Sequence, residues 1–169
     1  YPSVHTTINY KEYDNVYIDI NPILHVSISK AKNEKDLIKR IIWLIDEILK
    51  HIMPKKRLIF STDGIPAFAK MILQRERRIG MVKNLEIKNT NNFINPIILT
   101  PGTDFMINLP KLLEEYFMSL KNKYNIHITS LLEIEKGESE FKLFNRMKKN
   151  INKNNMESNI LVSNDADVL

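Results

Sequence analysis

The sequence predicts a single α/β domain with three layers, in which helices cover both faces of a mostly parallel central sheet. Short runs rich in β-branched residues alternate along the chain with segments whose apolar residues recur at helical spacing. The strand candidates are residues 16–20, 57–62, 126–132 and 160–163. Strands that alternate with helices in this way are typical of a parallel sheet, which has both faces buried.

The composition narrows the class of protein. The chain has 169 residues, enough for one domain with a sizeable core, and its hydrophobic fraction of 43% is typical of a globular rather than a disordered chain. Its longest apolar stretches are far shorter than a membrane span, so no membrane partner is expected. The absence of cysteine excludes disulfides and thiolate metal sites. The net charge of +5 is compatible with a polyanionic partner.

Capping residues and apolar spacing predict the helices. Asn33, with Asp36 three residues later, resembles the N-terminal cap of a helix that Pro54 is expected to end. Trp43 falls within this helix, where its apolar neighbours suggest partial burial. Thr103 is expected to cap a second helix, whose apolar face runs through residues 105–120.

Acidic residues follow all four predicted strands. They are Asp19, Asp63, Glu138, Glu140, Asp165 and Asp167. In open α/β sheets, ligands bind at the carboxyl ends of the strands, where these six carboxylates would repel one another. Mg²⁺ and Mn²⁺ prefer oxygen ligands and relieve such repulsion, and two ions close together stabilise the attacking and leaving oxygens of a phosphodiester. The pattern therefore predicts a site for hard divalent cations.

Each acid also has a simpler explanation when it is taken alone. A single Asp after a strand is often a helix cap or a turn residue, and the glutamate pair suits the first turn of a helix. Asp165 and Asp167 are more specific, because an Asp-x-Asp sequence after an apolar strand puts two carboxylates on one side. The recurrence of acids after all four strands favours a common site over four separate explanations.

A basic face is predicted on the helix that follows the second strand. Its members are Lys70, Gln74, Arg77 and Arg78. They lie at i, i+4, i+7 and i+8, and such a group suits a terminal phosphate because Arg binds phosphate bidentately. A solvated charged face is the alternative, which Glu76 favours slightly. We expect a separate apolar arc to pack on the sheet, formed by Phe68, Met71, Ile72 and Ile79.

Five segments, in order, resemble the motifs of the XRN family of 5′→3′ exoribonucleases. They are DNVYIDINPILH (14–25), Asp63-Gly64 followed by AKMILQRERR (69–78), TPGTDFM (100–106), GESEFK (137–142) and NDADVL (164–169). The resemblance covers nearly the whole chain. It implies a nuclease fold of the PIN/flap-endonuclease kind that degrades single-stranded RNA from a 5′ monophosphate and releases mononucleotides.

The resemblance also implies roles for the residues. The six acids would bind Mg²⁺ or Mn²⁺, as two ions, and carry the catalysis. The basic face would form the pocket for the 5′ phosphate. His25, which without the resemblance reads more simply as a structural residue, would stack on a base. The sequence departs from the family pattern at Ser139, which replaces a glycine, at Phe141, which replaces a histidine, and at Glu76, which adds a negative charge to the phosphate-binding helix.

We interpret residues 1–169 as one XRN N-terminal nuclease domain that is truncated at both ends, with a further metal-binding aspartate and an aromatic partner for His25 beyond Leu169. Such a fragment is expected to be inactive by itself. Two alternatives stay open, a structure-specific 5′ nuclease acting on DNA flaps and a non-catalytic RNA-binding module of the same fold. The expected location is intracellular, in the cytoplasm or the nucleus, whether the gene is cellular or viral.

Overall fold

Four parallel strands form the centre of the structure, a computed structural model that describes residues 11–65, 71–72, 75–76, 79–80, 94–132, 136–151 and 156–164. The strands lie in the order β3-β2-β1-β4, and every neighbouring pair is parallel. Their bounds are β1 (Lys11–Asp19), β2 (Ile52–Ser61), β3 (His127–Leu131) and β4 (Asn159–Val162). All four predicted strands are confirmed.

Two strands begin about five residues earlier than predicted. The first halves of β1 and β2 are half-exposed or exposed at most positions, so they lack the continuous apolar run that marks a buried strand. The pairing between the two strands shifts register between Tyr13 and Asn15, opposite the part of β2 that follows Pro54. A proline donates no backbone hydrogen bond, and a strand tolerates a proline at such an irregularity in the pairing.

Helices cover both faces of the sheet, as predicted. Val16 and Ile18 of β1 point into a large apolar core on one face, and Tyr17 points into a smaller core on the other. The large core is closed by α1 (Asn21–Ile28), α2 (Glu34–His51), α3 (Asp104–Leu112) and α4 (Glu114–Tyr124). The smaller core is closed by α5 (Ser139–Asn150), whose Leu143 packs on Tyr17 and Ile59. The three-layer α/β/α architecture is therefore confirmed.

Helix α2 begins where the cap predicts and ends earlier than expected. The Asn33 side chain accepts a hydrogen bond from the backbone N–H of Asp36 at 2.9 Å. The helix ends at His51, and β2 starts with the next residue, so Pro54 lies within the strand rather than at the end of the helix. Residues that precede a proline are pushed towards extended backbone, and Ile52 is already extended (φ −129°, ψ 104°).

Two further expectations about the helices are wrong. Trp43 is 59% exposed rather than partly buried, because it lies on the opposite side of α2 from the buried stripe that contains Ile41 and Ile45. The helix predicted across residues 105–120 is two helices, α3 and α4, which are separated at Leu113. Thr103 does cap α3, since its hydroxyl accepts a hydrogen bond from the Met106 N–H at 3.5 Å. Within the described ranges, no helix combines the length and the apolar character needed to cross a membrane.

A polar network ties the start of β4 to β1 and β2. The buried Asn15 side chain donates to Glu157 Oε2 and to Asn159 Oδ1, both at 2.9 Å. Arg57 Nη1 donates to the same Glu157 oxygen at 2.7 Å and to Asn15 Oδ1 at 2.9 Å. The strand β4 has only four residues, so this network supplies much of what fixes its register on β1.

We expect Glu157→Gln to lower the free energy of unfolding by about 1–2 kcal/mol, because it removes the charge from a mostly covered ion pair. Glu12→Gln is the matched control, since Glu12 pairs with Lys55 at a well-exposed site and such pairs contribute only about 0–1 kcal/mol. Denaturant unfolding of both variants is the measurement. Equal losses in the two variants would contradict the role assigned to Glu157.

Candidate active site

Neighbouring strands β1 and β4 form a topological switch point. From β1, the chain passes through α1 and α2 on one face of the sheet and continues to β2. It reaches β4 through α5, which lies on the other face. A crevice opens beyond the carboxyl ends of strands where connections diverge in this way. Asp19 is the last residue of β1, and Asn164 follows the end of β4.

An open cavity of about 370 Å³ occupies this position. Its lining includes Asp19, Asp63, Glu138, Glu140, His25 and Asn164. The structure thus brings together four of the six predicted acids, from three separate segments of the chain, and adds the predicted stacking residue His25. Asp165 and Asp167 lie outside the described residues, directly after Asn164 in the sequence.

Backbone hydrogen bonds join the segment after β2 to the segment before α5. Gly64 N–H donates to Gly137 O at 2.9 Å, and Gly137 N–H donates to Ile65 O at 3.2 Å. Gly137 has a φ of +113°, a backbone conformation that side chains other than hydrogen rarely allow. Asp63 Oδ1 then accepts the backbone N–H of Ser139 at 2.9 Å, at the first turn of α5. These contacts place Asp63 beside the two glutamates.

Asn21 links the ends of β1 and β2, and the sequence analysis did not identify it. Its backbone N–H donates to Asp19 Oδ1 at 3.0 Å, and its side-chain oxygen accepts the Asp63 N–H at 3.1 Å. The available signal was a polar residue two positions after a strand-end Asp, immediately before Pro22. Lys142 was also missed, although its ammonium donates to Thr62 O at 3.1 Å from a nearly buried position.

Burial disfavours the negative charge of Asp19 at this site. Asp19 is only 4% exposed, and this burial raises the pKa of its carboxyl. The Asn21 N–H opposes the shift, whereas repulsion from Asp63 adds to it. In the part of the chain that the structure describes, no Lys or Arg forms an ion pair with Asp19 or Asp63. The negative charge at the end of β1 is therefore poorly compensated by the protein there.

Oxygen atoms dominate the donor set around the cavity, which suits hard divalent cations such as Mg²⁺ and Mn²⁺. Among the described residues, however, no three His, Asp or Glu side chains are arranged as a metal-holding group. The four acids of the cavity thus form a shared acidic surface rather than a finished coordination sphere. Their assignment as metal ligands, together with Asp165 and Asp167, stays a prediction.

The proposed phosphate-binding residues lie outside the described residues. They are Lys70, Gln74, Arg77 and Arg78. The neighbouring positions that the structure describes between residues 71 and 80 are helical, as predicted. Met71, Ile72 and Ile79 are exposed, however, so the expectation that they pack on the sheet is wrong. Both faces of the sheet are already covered, by α1–α4 on one side and α5 on the other.

Two of the three departures from the family pattern, Ser139 and Phe141, have different surroundings. Ser139 is fully buried at the start of α5, where its backbone serves Asp63. Phe141 is well exposed on the same helix. His25 is exposed on α1 and borders the acidic cavity, a position compatible with contact to a bound ligand.

Comparison with known proteins decides the family. The model for the XRN 5′-3′ exonuclease N-terminus matches residues 1–169. The chain belongs to this family. The predicted resemblance is confirmed, and the observed architecture is the PIN-like α/β fold that it implies for an XRN N-terminal domain.

Several curated relatives of this XRN domain are named 5′-3′ exoribonucleases. The chain is 33% identical over 125 residues to 5′-3′ exoribonuclease 1 of Saccharomyces cerevisiae, covering 63% of this chain and 8% of the relative. It is 28% identical over 194 residues to 5′-3′ exoribonuclease 2 of Gallus gallus, covering 95% and 20%. For human 5′-3′ exoribonuclease 1 the values are 30% over 130 residues, covering 65% and 7%. The chain therefore spans a fifth or less of these relatives.

We expect Asp19→Asn to stabilise this XRN domain at neutral pH in the presence of EDTA, by an amount on the order of 1 kcal/mol, which is the size of a common single stabilising substitution. A carboxyl whose pKa is raised on folding stabilises the fold fully only below its ordinary value of 3.8, and this contribution is lost as pH rises through the folded-state value. The neutral amide avoids that loss.

Thermal or denaturant unfolding from pH 3 to pH 8 measures the difference. The gap between Asp19→Asn and wild type should be largest at neutral pH and close below about pH 4. A variant that is less stable than wild type at neutral pH, or a gap that is independent of pH, would contradict the buried-charge interpretation.

Proposed function

We propose that this chain is the catalytic core of a 5′→3′ exoribonuclease that degrades single-stranded RNA from a 5′-monophosphate end. Each cycle would hydrolyse the first phosphodiester bond with two divalent metal ions, Mg²⁺ or Mn²⁺, and release a mononucleotide. The observation that carries the proposal is the acidic cavity at the β1/β4 switch point of an XRN-family chain.

The residues that would hold the ions are Asp19, Asp63, Glu138, Glu140, Asp165 and Asp167. The fit of the described members is supported by their donor atoms and by the poorly compensated charge at Asp19. Bound ions would neutralise these carboxylates and stabilise the charge that develops on the attacking and leaving oxygens.

The protein's own contribution is positioning. Asp63 is held by the Ser139 N–H, and Asn21 holds both Asp19 and the backbone of Asp63, so these two aspartates are ordered before a substrate arrives. Catalytic groups that are already ordered need little reorganisation during the reaction. His25, at the edge of the cavity on α1, would stack on a base near the bond that is cleaved.

The direction of degradation would come from the basic face of the helix after β2. Lys70, Gln74, Arg77 and Arg78 are proposed to bind the 5′ monophosphate through charge-assisted and bidentate hydrogen bonds. A capped or triphosphorylated end would not fit such a pocket, and a 5′ hydroxyl would leave its cations unpaired.

Asp63→Asn in the full-length protein should reduce Mg²⁺-dependent decay of 5′-monophosphorylated RNA by more than about a hundredfold, because it removes a charged ligand and weakens the contact to α5. Asp46→Asn, on α2 outside the cavity and outside the five motifs, is the matched control and should retain activity, since the amide oxygen can still accept the Tyr116 hydroxyl. The assay follows end-labelled RNA with Mg²⁺ and with EDTA.

Three outcomes of this assay would contradict the proposal. Decay that survives both Asp63→Asn and EDTA would sink the metal assignment. Cleavage of DNA flaps in preference to RNA would favour the structure-specific nuclease. RNA binding by the wild-type protein without any cleavage would favour a non-catalytic module.

Arg77→Ala should reduce the preference for a 5′ monophosphate over a 5′ hydroxyl by about ten- to a hundredfold, which is the contribution expected of a charged phosphate contact. Arg75→Ala is the matched control, because Arg75 belongs to the same helix but not to the proposed binding face. The ratio of decay rates on the two RNA ends is measured for each variant. An unchanged ratio in Arg77→Ala would remove the basis for the pocket.

A further inference from the structure

A second cavity, of about 450 Å³, lies on the solvent side of α1 and α2. We call its exposed border the Trp43 platform, which consists of Val26, Lys30, Lys39, Arg40 and Trp43. Trp43 is 59% exposed, although a tryptophan of a folded chain normally buries most of its large apolar surface. Trp43 does not belong to the buried stripe of α2, so packing within this domain does not explain why a tryptophan stands at this position.

The charge around Trp43 is mainly positive. Lys30, Lys39 and Arg40 border the cavity, and Asp36 is the one acid among the lining residues that the structure describes. Asp36 holds Arg40 in place, with Oδ2 at 3.1 Å from the guanidinium Nε. Among the described residues, neither Lys30 nor Lys39 has an ion-pair partner. The platform therefore offers two uncommitted ammonium groups beside an exposed aromatic face.

The platform adjoins the acidic cavity. Val26, which is 52% exposed, lines both cavities, and His25 immediately before it borders the acidic one. Helix α1 thus forms a shared wall between the two. A polyanionic strand that leaves the acidic cavity past His25 would cross Val26 and meet Trp43 together with the basic side chains that border the same cavity.

We propose that the Trp43 platform binds single-stranded RNA on the 3′ side of the acidic cavity, with Trp43 stacked on a base and Lys30 and Lys39 contacting phosphates. This proposal rests on the proposed function, since it assigns the platform to the same substrate. An exposed aromatic next to cations, without a pattern of groups that read base edges, is the combination that binds single strands without sequence preference.

A protein partner is the competing occupant of this surface. The charge favours RNA, because the lysines would meet phosphates directly, whereas an apolar protein contact would have to desolvate them. Continuity with the acidic cavity also favours RNA, since a substrate strand has to leave that cavity in some direction.

The test uses the full-length protein carrying Asp63→Asn, so that RNA is bound rather than degraded. Affinity is measured for 5′-monophosphorylated RNAs from about 2 to about 12 nucleotides. Trp43→Ala should weaken binding of the long RNAs by about tenfold, the loss expected for one base stack, and leave the shortest RNAs unaffected. Trp43→Phe should recover most of the affinity, and Met118→Ala, an exposed apolar residue on α4, is the control.

The lysines have a test of their own. Replacing both Lys30 and Lys39 by Ala should make the negative slope of log affinity against log salt concentration shallower by about 1.4 for long RNAs, because each phosphate contact on a single strand contributes about −0.7. Replacing Lys111 and Lys121, which lie on α3 and α4, should leave the slope for the same RNAs unchanged.

The outcomes separate the two proposals. If Trp43→Ala binds RNA of every length as tightly as its parent, the platform proposal is overturned, and a change in oligomeric state alone would point to a protein surface. Decay of 5′-monophosphorylated RNA by the otherwise wild-type protein is measured in parallel. If that decay occurs, only the platform has failed; if RNA is neither bound nor degraded, both proposals have failed.

Discussion

Parallel pairing of β1 with β2 on one side and β4 on the other is the constraint on which the rest of the structure depends. Because the three strands run in the same direction, their carboxyl ends meet at one edge of the sheet. The parallel arrangement alone is enough to bring Asp19, Asp63 and Asn164 to the same cavity. The two glutamates at the start of α5 also depend on the backbone hydrogen bond from Gly64 to Gly137, which places the start of this helix at the same edge.

The concentration of acids at this edge opposes stability. Burial and repulsion from Asp63 both disfavour the charged form of Asp19, and the folded state accepts that cost at one of its two central strands. The fold compensates elsewhere, through a fully buried apolar centre of β1 and β2 and through the Asn15–Arg57–Glu157 network at the opposite ends of the strands. Natural proteins commonly place strain and unfavourable charge at functional sites in this way.

The sequence predicts those parts of the fold that leave a periodic or chemical mark. The apolar cores of all four strands, the Asn33 and Thr103 caps and the positions of Asp19 and Asp63 at strand ends are of this kind. The sequence does not predict features that depend on residues that are close in space but distant along the chain. The first residues of β1 form a strand because β2 lies beside them, and Asn21 matters because two strand ends lie within its reach.

Some residues that the sequence predicts to be packed are exposed, and the reason is again that packing depends on neighbours in space. The apolar arc at Met71 and Ile79 has the spacing of a packed face, but both side chains are exposed. Trp43 is a large apolar residue of the kind usually found in a core, but it lies on the side of α2 opposite the buried stripe and therefore faces solvent. Apolar spacing indicates which residues share a face and does not indicate what that face meets.

The direct passage from α2 to β2 has a consequence for how the chain tolerates changes in length. His51 ends the helix and Ile52 begins the strand, so no loop residue is available to absorb an insertion or deletion. One extra residue in α2 would rotate everything before it by about 100°, and one in β2 would turn its side chains to the opposite face of the sheet. Because the continuous unit of α2 and β2 carries Trp43 and leads to Asp63, a change in its length would alter how these two side chains are placed relative to each other.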